Sequence, residues 1–327
     1  MNILITGGAG YIGSHTAEYI FNQGCNPIVF DNLSHGKKKY VKFGPFIKGD
    51  LTEYNEIFLA LKKYKPKAVI HFAGCISVNE SQTNPFKYYK NNFIGTLNLL
   101  EAMKNCGINK IIFSSTASVY GLQKSLMIKE NCKTGPINVY GDTKLSAENI
   151  IKEYNKLFKI DYAILRYFNA SGANYSSGLG EDHNPETHVI PCMINSFLEK
   201  KTFKVYGKNF KTKDGTAVRD FIHVEDLAEA HFLSLKKIIK TKKSFILNLG
   251  TGKGSSVKDL INKFQILTKQ KIKIKHMKRR VGDVDFLVSS NRKAKKLLKW
   301  NPTKSSIENI LHSSYNWHLK LMKKIKI

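Results

Sequence analysis

Apolar residues in the first half of the chain fall into short continuous runs, separated by longer segments of mixed character. Residues 2–6, 27–30, 68–71, 110–114 and 162–166 are apolar at most positions, with no regular polar alternation. This predicts strands covered on both faces. The segments 12–23, 53–63, 86–105 and 138–158 carry apolar residues at three- and four-residue spacing, which predicts amphipathic helices. Strand and helix alternate, so the predicted fold is α/β, with a Rossmann-type doubly wound parallel sheet. The pattern loosens after residue 169. Residues 170–188 are rich in Gly, Ser, Asn and His, contain Pro185, and read as a long functional loop. Shorter elements follow: helices near 189–200, 257–267 and 306–320, and strands near 203–206 and 245–249. Residues 220–224, followed by a helix over 225–237, are expected to return to the first sheet.

The first strand runs into Gly7-Gly8-Ala9-Gly10-Tyr11-Ile12-Gly13, which opens a helix. Gly8, Gly10 and Gly13 satisfy GxGxxG; Gly7, Gly10 and Gly13 satisfy GxxGxxG. Such a loop needs one glycine for the tight turn, one for close approach to a pyrophosphate and one for helix–strand packing. The helix N-terminus then offers free N–H groups to the phosphates. Asp31, at the end of the second strand, suits a ribose 2′-hydroxyl and repels a 2′-phosphate, so NAD is expected rather than NADP. The expected organisation is a nucleotide-binding domain over 1–168, with returns from about 214–250, interleaved with a smaller, mainly substrate-binding α/β domain over 169–327.

Composition narrows the class. The chain has 327 residues, 42% of them apolar, enough for a substantial core. No apolar run approaches the ~20 residues of a membrane span. The N-terminus lacks the basic and apolar regions of a signal peptide, so a cytoplasmic enzyme is expected. Five cysteines without CxxC spacing argue for reduced thiols and against a zinc or disulfide framework. The net charge of +28 comes from scattered lysines without a nucleic-acid recognition motif. No specific nucleic-acid partner, membrane partner or metal is therefore expected. The positive field favours an anionic substrate.

Tyr140-Gly-Asp-Thr-Lys144 lies at the start of a predicted helix, and residues four apart share a face. A lysine ammonium beside a tyrosine stabilises the phenolate and equips it as a general base. Ser114-Ser115-Thr116 follows the fourth strand, beyond whose carboxyl end a parallel sheet binds ligands.

With these residues the chain resembles the extended short-chain dehydrogenase/reductase family, and within it the UDP-glucose 4-epimerase branch. The likeness is carried by Gly7 to Gly13 with Ser14-His15, Asp31-Asn32-Leu33, Gly49-Asp50-Leu51, His71-Phe72-Ala73-Gly74 and Asn92 with Gly95-Thr96. It continues through Ser114-Ser115-Thr116, Tyr140 with Lys144, Arg166-Tyr167-Phe168-Asn169, Gly180-Glu181-Asp182, Arg219 to Val224, Asn248-Leu249-Gly250 and Arg279-Arg280-Val281-Gly282-Asp283. The resemblance implies that Tyr140, as phenolate, takes the proton of a sugar 4-hydroxyl while hydride leaves C4 for NAD. It implies that Lys144 holds the nicotinamide ribose and that Thr116 bonds the 4-oxygen. The 4-keto sugar then turns over and takes hydride back on its other face, converting UDP-galactose to UDP-glucose and the reverse. The implied cofactor contacts are Gly7, Gly10, Tyr11, Ile12, Gly13, Asp31, Asn32, Asp50, Leu51, Phe72, Ala73, Gly74, Asn92, Ser114, Tyr140, Lys144, Tyr167 and Phe168. The implied substrate contacts are Thr116, Asn169, His188, Val189, Tyr206, Arg219, Arg280 and Asp283. A homodimer is implied as well, through the helices at 86–105 and 138–158.

Three positions refine the expectation. Dehydratases of the family follow the threonine with Asp-Glu, and decarboxylases keep the Glu; this chain has Ala117 and Ser118, leaving elimination without its proton donor. Ile76 stands where some members place a lysine near the cofactor. Leu287, at the position that gates an N-acetyl group, is neither the bulky Tyr nor the small Cys found there. UDP-N-acetylglucosamine or UDP-pentose 4-epimerases are the alternatives. A non-catalytic NAD-binding sensor is the alternative from another class, and retention of Tyr140 and Lys144 argues against it.

Overall fold

The computed structural model describes residues 1–123, 125–280 and 282–325; Val281, inside the 279–283 motif, lies outside them. The first half runs β1 (Asn2–Thr6), α1 (Tyr11–Asn22), β2 (Asn26–Asp31), β3 (Phe46–Lys48), α2 (Tyr54–Tyr64), β4 (Ala68–His71), α3 (Val78–Thr83), α4 (Pro85–Tyr88), α5 (Gly95–Asn105), β5 (Lys110–Thr116), α6 (Val139–Phe158) and β6 (Asp161–Tyr167). The second half runs β7 (Asn169–Ser171), α7 (Val189–Leu198), β8 (Phe203–Tyr206), β9 (Val218–Arg219), β10 (Phe221–His223), α8 (Val224–Thr241), β11 (Phe245–Leu249), β12 (Ser255–Ser256), α9 (Val257–Thr268), β13 (Ile274–Met277), β14 (Phe286–Leu287), α10 (Arg292–Leu298) and α11 (Ile307–Ile325). Among the described residues no helix is long and apolar enough to cross a membrane.

Seven strands form one parallel sheet in the order β3-β2-β1-β4-β5-β6-β11. Successive side chains of a strand point to opposite faces, so an apolar run feeds two cores at once. Ile3 and Ile5 of β1 pack with Ala17, Ile20, Leu227 and Leu235 from α1 and α8. Leu4 between them packs with Ile57, Leu61, Leu99, Met103 and Ile151 from α2, α5 and α6. Residues 221–223 do not return to the first sheet: β10 pairs with β7 in a separate two-stranded sheet, while α8 packs on the first core, β11 completes its sheet, and Ala294, Leu298 and Trp300 also enter that core. A separate core joins Ile190 and Met193 of α7, Leu260 and Phe264 of α9, Phe203 of β8 and Ile310 of α11.

The single helix expected over 86–105 is interrupted. Between α4 and α5 the backbone makes a π-helical turn, Tyr89–Ile94, which carries Asn92 into the interior. A π-turn inserts an extra residue and rotates the following face, a frequent device at functional sites. The expected loop over 170–188 begins with β7, paired in parallel with β10. Its three residues, Asn-Ala-Ser, carry no hydrophobic period that would announce a strand. Strand β13, with its Ile-Lys-His-Met sequence, is legible only through its partner β8.

A buried ion pair ties the sheet to α6. Arg166 of β6 donates from Nε to Glu148 Oε1 at 2.8 Å and from Nη2 to Oε2 at 2.5 Å. Ser115 Oγ of β5 donates to the same carboxylate at 2.5 Å. Arg166→Leu leaves that carboxylate buried, with Lys152 Nζ at 3.8 Å as its remaining cationic partner. We expect a loss of about 3–5 kcal/mol, read from urea unfolding; a loss below about 1 kcal/mol, typical of an exposed pair, would refute this.

Candidate active site

The chain passes from β1 to β2 and β3 on one side, then crosses to β4 on the other, so the carboxyl ends of β1 and β4 flank the point where winding reverses. That is where doubly wound sheets bind nucleotides. The two loops there touch. A Cβ on Gly7, whose φ is +70°, would lie 2.6 Å from Ala73 N, and a Cβ on Gly13 would lie 2.3 Å from Gly7 O. Only glycine permits either approach. Gly10 caps α1 without a side chain, and the first turn holds no acidic residue. The N–H groups at this end are therefore open to a phosphate, which is the fit a dinucleotide requires. Asp31 organises the loop from β2: its Oδ2 accepts from Ala9 N at 3.0 Å and its Oδ1 from Leu33 N at 2.8 Å. Asn32 donates to Asp50 at 2.9 Å, joining the loops after β2 and β3.

A cleft of ≈ 410 Å³ opens along this edge. Gly7, Gly10, Tyr11, Ile12, Gly13, Asp31, Asn32, Asp50, Leu51, Phe72, Ala73 and Gly74 line one part; Ser114, Thr116, Tyr140, Lys144, Tyr167, Phe168, Asn169, His188 and Val189 line the rest. Ala117, Ser118, Ile76 and Leu287 line it as well. Asn92 does not. It is buried behind the wall, where its Oδ1 accepts from Cys75 N at 2.7 Å and its Nδ2 donates to Cys75 O and Thr143 Oγ1, both at 3.1 Å. It therefore holds the Gly74–Cys75 backbone rather than facing the cleft.

Tyr206, Arg219, Arg280 and Asp283 also stand outside the cleft lining, and they pair with one another. The Arg280 guanidinium lies 3.9 Å from the centre of the Tyr206 ring. Arg219 donates from Nη1 to the carbonyls of Val218 and Val284, both at 2.9 Å, and its Nη2 is 3.5 Å from Asp283 Oδ1. Arg219 is the parallel partner of Leu287, which lines the cleft, so the Arg219–Asp283 pair borders it. The neighbouring Asp220 is a structural hub: its carboxylate accepts from the N–H groups of Thr251, Gly252 and Ser289.

Tyr140 and Lys144 sit on the first turns of α6, whose N-cap Asn138 accepts from Gly141 N at 2.8 Å. Ser81 Oγ of α3 accepts from Tyr140 N at 3.1 Å. Burial pushes the Tyr140 hydroxyl up, and a side-chain hydrogen bond with Thr116 opposes that shift. Lys144 is buried, donates to Ser114 O at 2.9 Å and lies over the Phe113 ring. Burial lowers its pKa to about 8, against opposing attractions to Cys75 and Glu148. Tyr167 and Ser114 share a short hydrogen bond beside it. His71, the first residue of the His-Phe-Ala-Gly motif, is held between Thr6 and Thr96; burial, then the Lys144 charge, lowers it to about 3, so it is a neutral spacer.

The sequence reading missed His183, which joins the cleft lining with its ring 6.4 Å from that of Tyr11. It also missed the network behind it, in which His183 and His188 both meet Glu181. The alternating acids and histidines of Glu181-Asp-His-Asn-Pro-Glu-Thr-His188 were the available signal.

A glycine loop at the switch point and a Tyr/Lys pair beyond β5 define a dinucleotide-binding α/β enzyme. The chain belongs to the NAD dependent epimerase/dehydratase family, which matches residues 3–250. A UDP-glucose 4-epimerase of Rhizobium meliloti (strain 1021) is 44% identical over 97% of this chain and 97% of its own length. The crystal structure of UDP-glucose 4-epimerase from Brucella ovis in complex with NAD superposes with a TM-score of 0.93 at 40% identity, covering 96% of this chain and 97% of that one. The UDP-glucose-4-epimerase from Stenotrophomonas maltophila, solved with bound NAD and formylated UDP-arabinopyranose, gives a TM-score of 0.95 at 32% identity and covers 99% of both chains.

The buried lysine makes a stability prediction. Its pKa falls from 10.5 to about 8 on folding. Between those values the unfolded chain holds a proton that the folded chain has shed, so stability rises with pH across that window. The increment is on the order of 3 kcal/mol. In NAD-free protein, wild type should gain urea resistance relative to Lys144→Met from pH 7.5 to 10. Parallel pH profiles for the two proteins would contradict the assignment.

Proposed function

We propose that this chain is an NAD-dependent 4-epimerase that interconverts UDP-galactose and UDP-glucose through a 4-keto intermediate. The observation that carries this is that Thr116, Tyr140 and buried Lys144 line one cleft whose 117 and 118 positions hold no carboxylate. Full-length relatives that are UDP-glucose 4-epimerases support the substrate.

The proposed chemistry follows from the groups present. Tyr140 accepts the proton of the sugar 4-hydroxyl, and Thr116 hydrogen-bonds the same oxygen. Burial disfavours the phenolate and the Thr116 hydroxyl favours it; in the proposed mechanism a protonated Lys144, one helical turn away, adds its charge. Bound NAD supplies the two-electron acceptor and donor for C4, so the two half-reactions leave no net oxidation. Lys144, tied to Ser114 O at 2.9 Å, would hold the nicotinamide ribose. With Ala117 and Ser118 in place of Asp-Glu, no neighbouring acid can protonate a leaving hydroxyl, and the keto sugar is returned to the alcohol. Arg219 and Arg280 suit a diphosphate by charge and fork geometry. Leu287, packed with Phe168 beside the Val119 and Ile128 cluster, is the proposed limit on sugar size.

Tyr140→Phe should retain bound NAD and lose about 10²–10⁴-fold in turnover, the usual weight of a general base. The assay is conversion of UDP-galactose without added NAD, with products resolved by chromatography. Near-normal turnover would remove Tyr140 from the base role, and a 4-keto-6-deoxy product would overturn the reaction class. Running UDP-glucose, UDP-galactose and both N-acetyl forms in parallel tests Leu287 as the gate.

We also propose that the chain works as a homodimer. Phe86 is 77% exposed, Leu157 69% and Phe158 43%, all on the helices expected to pair. Light scattering should give twice the chain mass. Phe86→Asp with Leu157→Asp should shift it to one chain mass; a wild-type monomer would refute the pairing.

A further inference from the structure

We propose that Glu181, His183, Glu186 and His188 bind one divalent transition-metal ion of the zinc class. The four residues come from one turn of chain between the cleft and the N-terminus of α7. One ligand atom from each lies within 4.8 Å of all the others. A tetrahedral ion with bonds of about 2.1 Å holds its ligand atoms about 3.4 Å apart, so small side-chain rotations close the set. His183 Nδ1 is already 3.1 Å from Glu181 Oε1 and 3.9 Å from Glu186 Oε2. His188 Nδ1 meets the same Glu181 oxygen in a short contact.

Three features make this more than a polar loop. The sequence carries 53 Lys and Arg residues, yet the ion-pair partners of Glu181 and Glu186 are histidines. Glu181 is 3% exposed, and a buried carboxylate requires either a cation or bonds at both oxygens. The loop is also fixed from outside the cluster, where Trp317 Nε1 donates to Glu181 O at 2.7 Å. A preformed set of two imidazoles and two carboxylates selects zinc-like ions over magnesium or calcium, which prefer oxygen alone. The ion would clamp the loop to the start of α7, and this proposal does not depend on which sugar the enzyme turns over.

The test uses the whole protein with its bound NAD, freed of metal by chelator dialysis and titrated with zinc sulfate by calorimetry. One equivalent should bind, and the melting temperature should rise with zinc. His183→Ala and Glu186→Gln should each weaken binding by about 100-fold and abolish the shift in melting temperature. Cys192→Ser, which changes the thiol nearest the loop, should bind as wild type does. Cobalt in place of zinc should give visible d–d bands without a near-ultraviolet thiolate band, a reading that needs no variant. Absence of a one-equivalent uptake, equal affinity in wild type and both variants, or a thiolate band would overturn the proposal. In each case the histidines would be serving Glu181 as hydrogen-bond partners only.

Discussion

Glu148 lies fully buried on the inner face of α6, and a carboxylate there has to be met by charge and hydrogen bonds. Arg166 supplies both from β6, and Ser115 adds a hydroxyl from β5. The Arg166 guanidinium also covers the Tyr120 ring, whose hydroxyl donates to Asn248 at the end of β11. One ion pair thus locks three neighbouring strands to the helix that carries Tyr140 and Lys144. Lys144 is one helical turn from Glu148, so the orientation of the pair fixes the reach of the ammonium to Ser114. The geometry proposed for catalysis depends on a buried electrostatic contact that lines no part of the cleft.

The glycine loop works under a different constraint, one of volume. Backbones after β1 and β4 approach so closely that a single added carbon at Gly7 or Gly13 would overlap main-chain atoms. That approach leaves the N-terminus of α1 open, and Asp31 spends its oxygens on holding the loop. Its fit to a ribose hydroxyl therefore coexists with a structural task that the sequence motif does not advertise.

Much of this was legible in the chain. Apolar runs gave the strands of the main sheet because strands buried on both faces leave a strong local signature. Gly7, Gly10, Gly13, Asp31, Thr116, Tyr140 and Lys144 could be singled out beforehand because short spacings on single elements mark them, and the folded chain brings them to one cleft. Asn92 read as a cofactor contact because motif position says nothing of side-chain direction; the π-turn aims it at Cys75 instead. Tyr206, Arg219, Arg280 and Asp283 read as independent substrate contacts, whereas the folded chain pairs them with one another.

By itself the sequence determined the alternation of strands and helices, the glycine fingerprint, the candidate Tyr140/Lys144 pair and the absence of acids at 117 and 118. These depend on local period and identity, which a linear chain states directly. Only the tertiary structure decided that residues 294–300 would join the first core. Only it put Arg166 of β6 against Glu148 of α6. Those outcomes rest on contacts between distant segments and on where side chains point after packing, and neither is written in any local pattern.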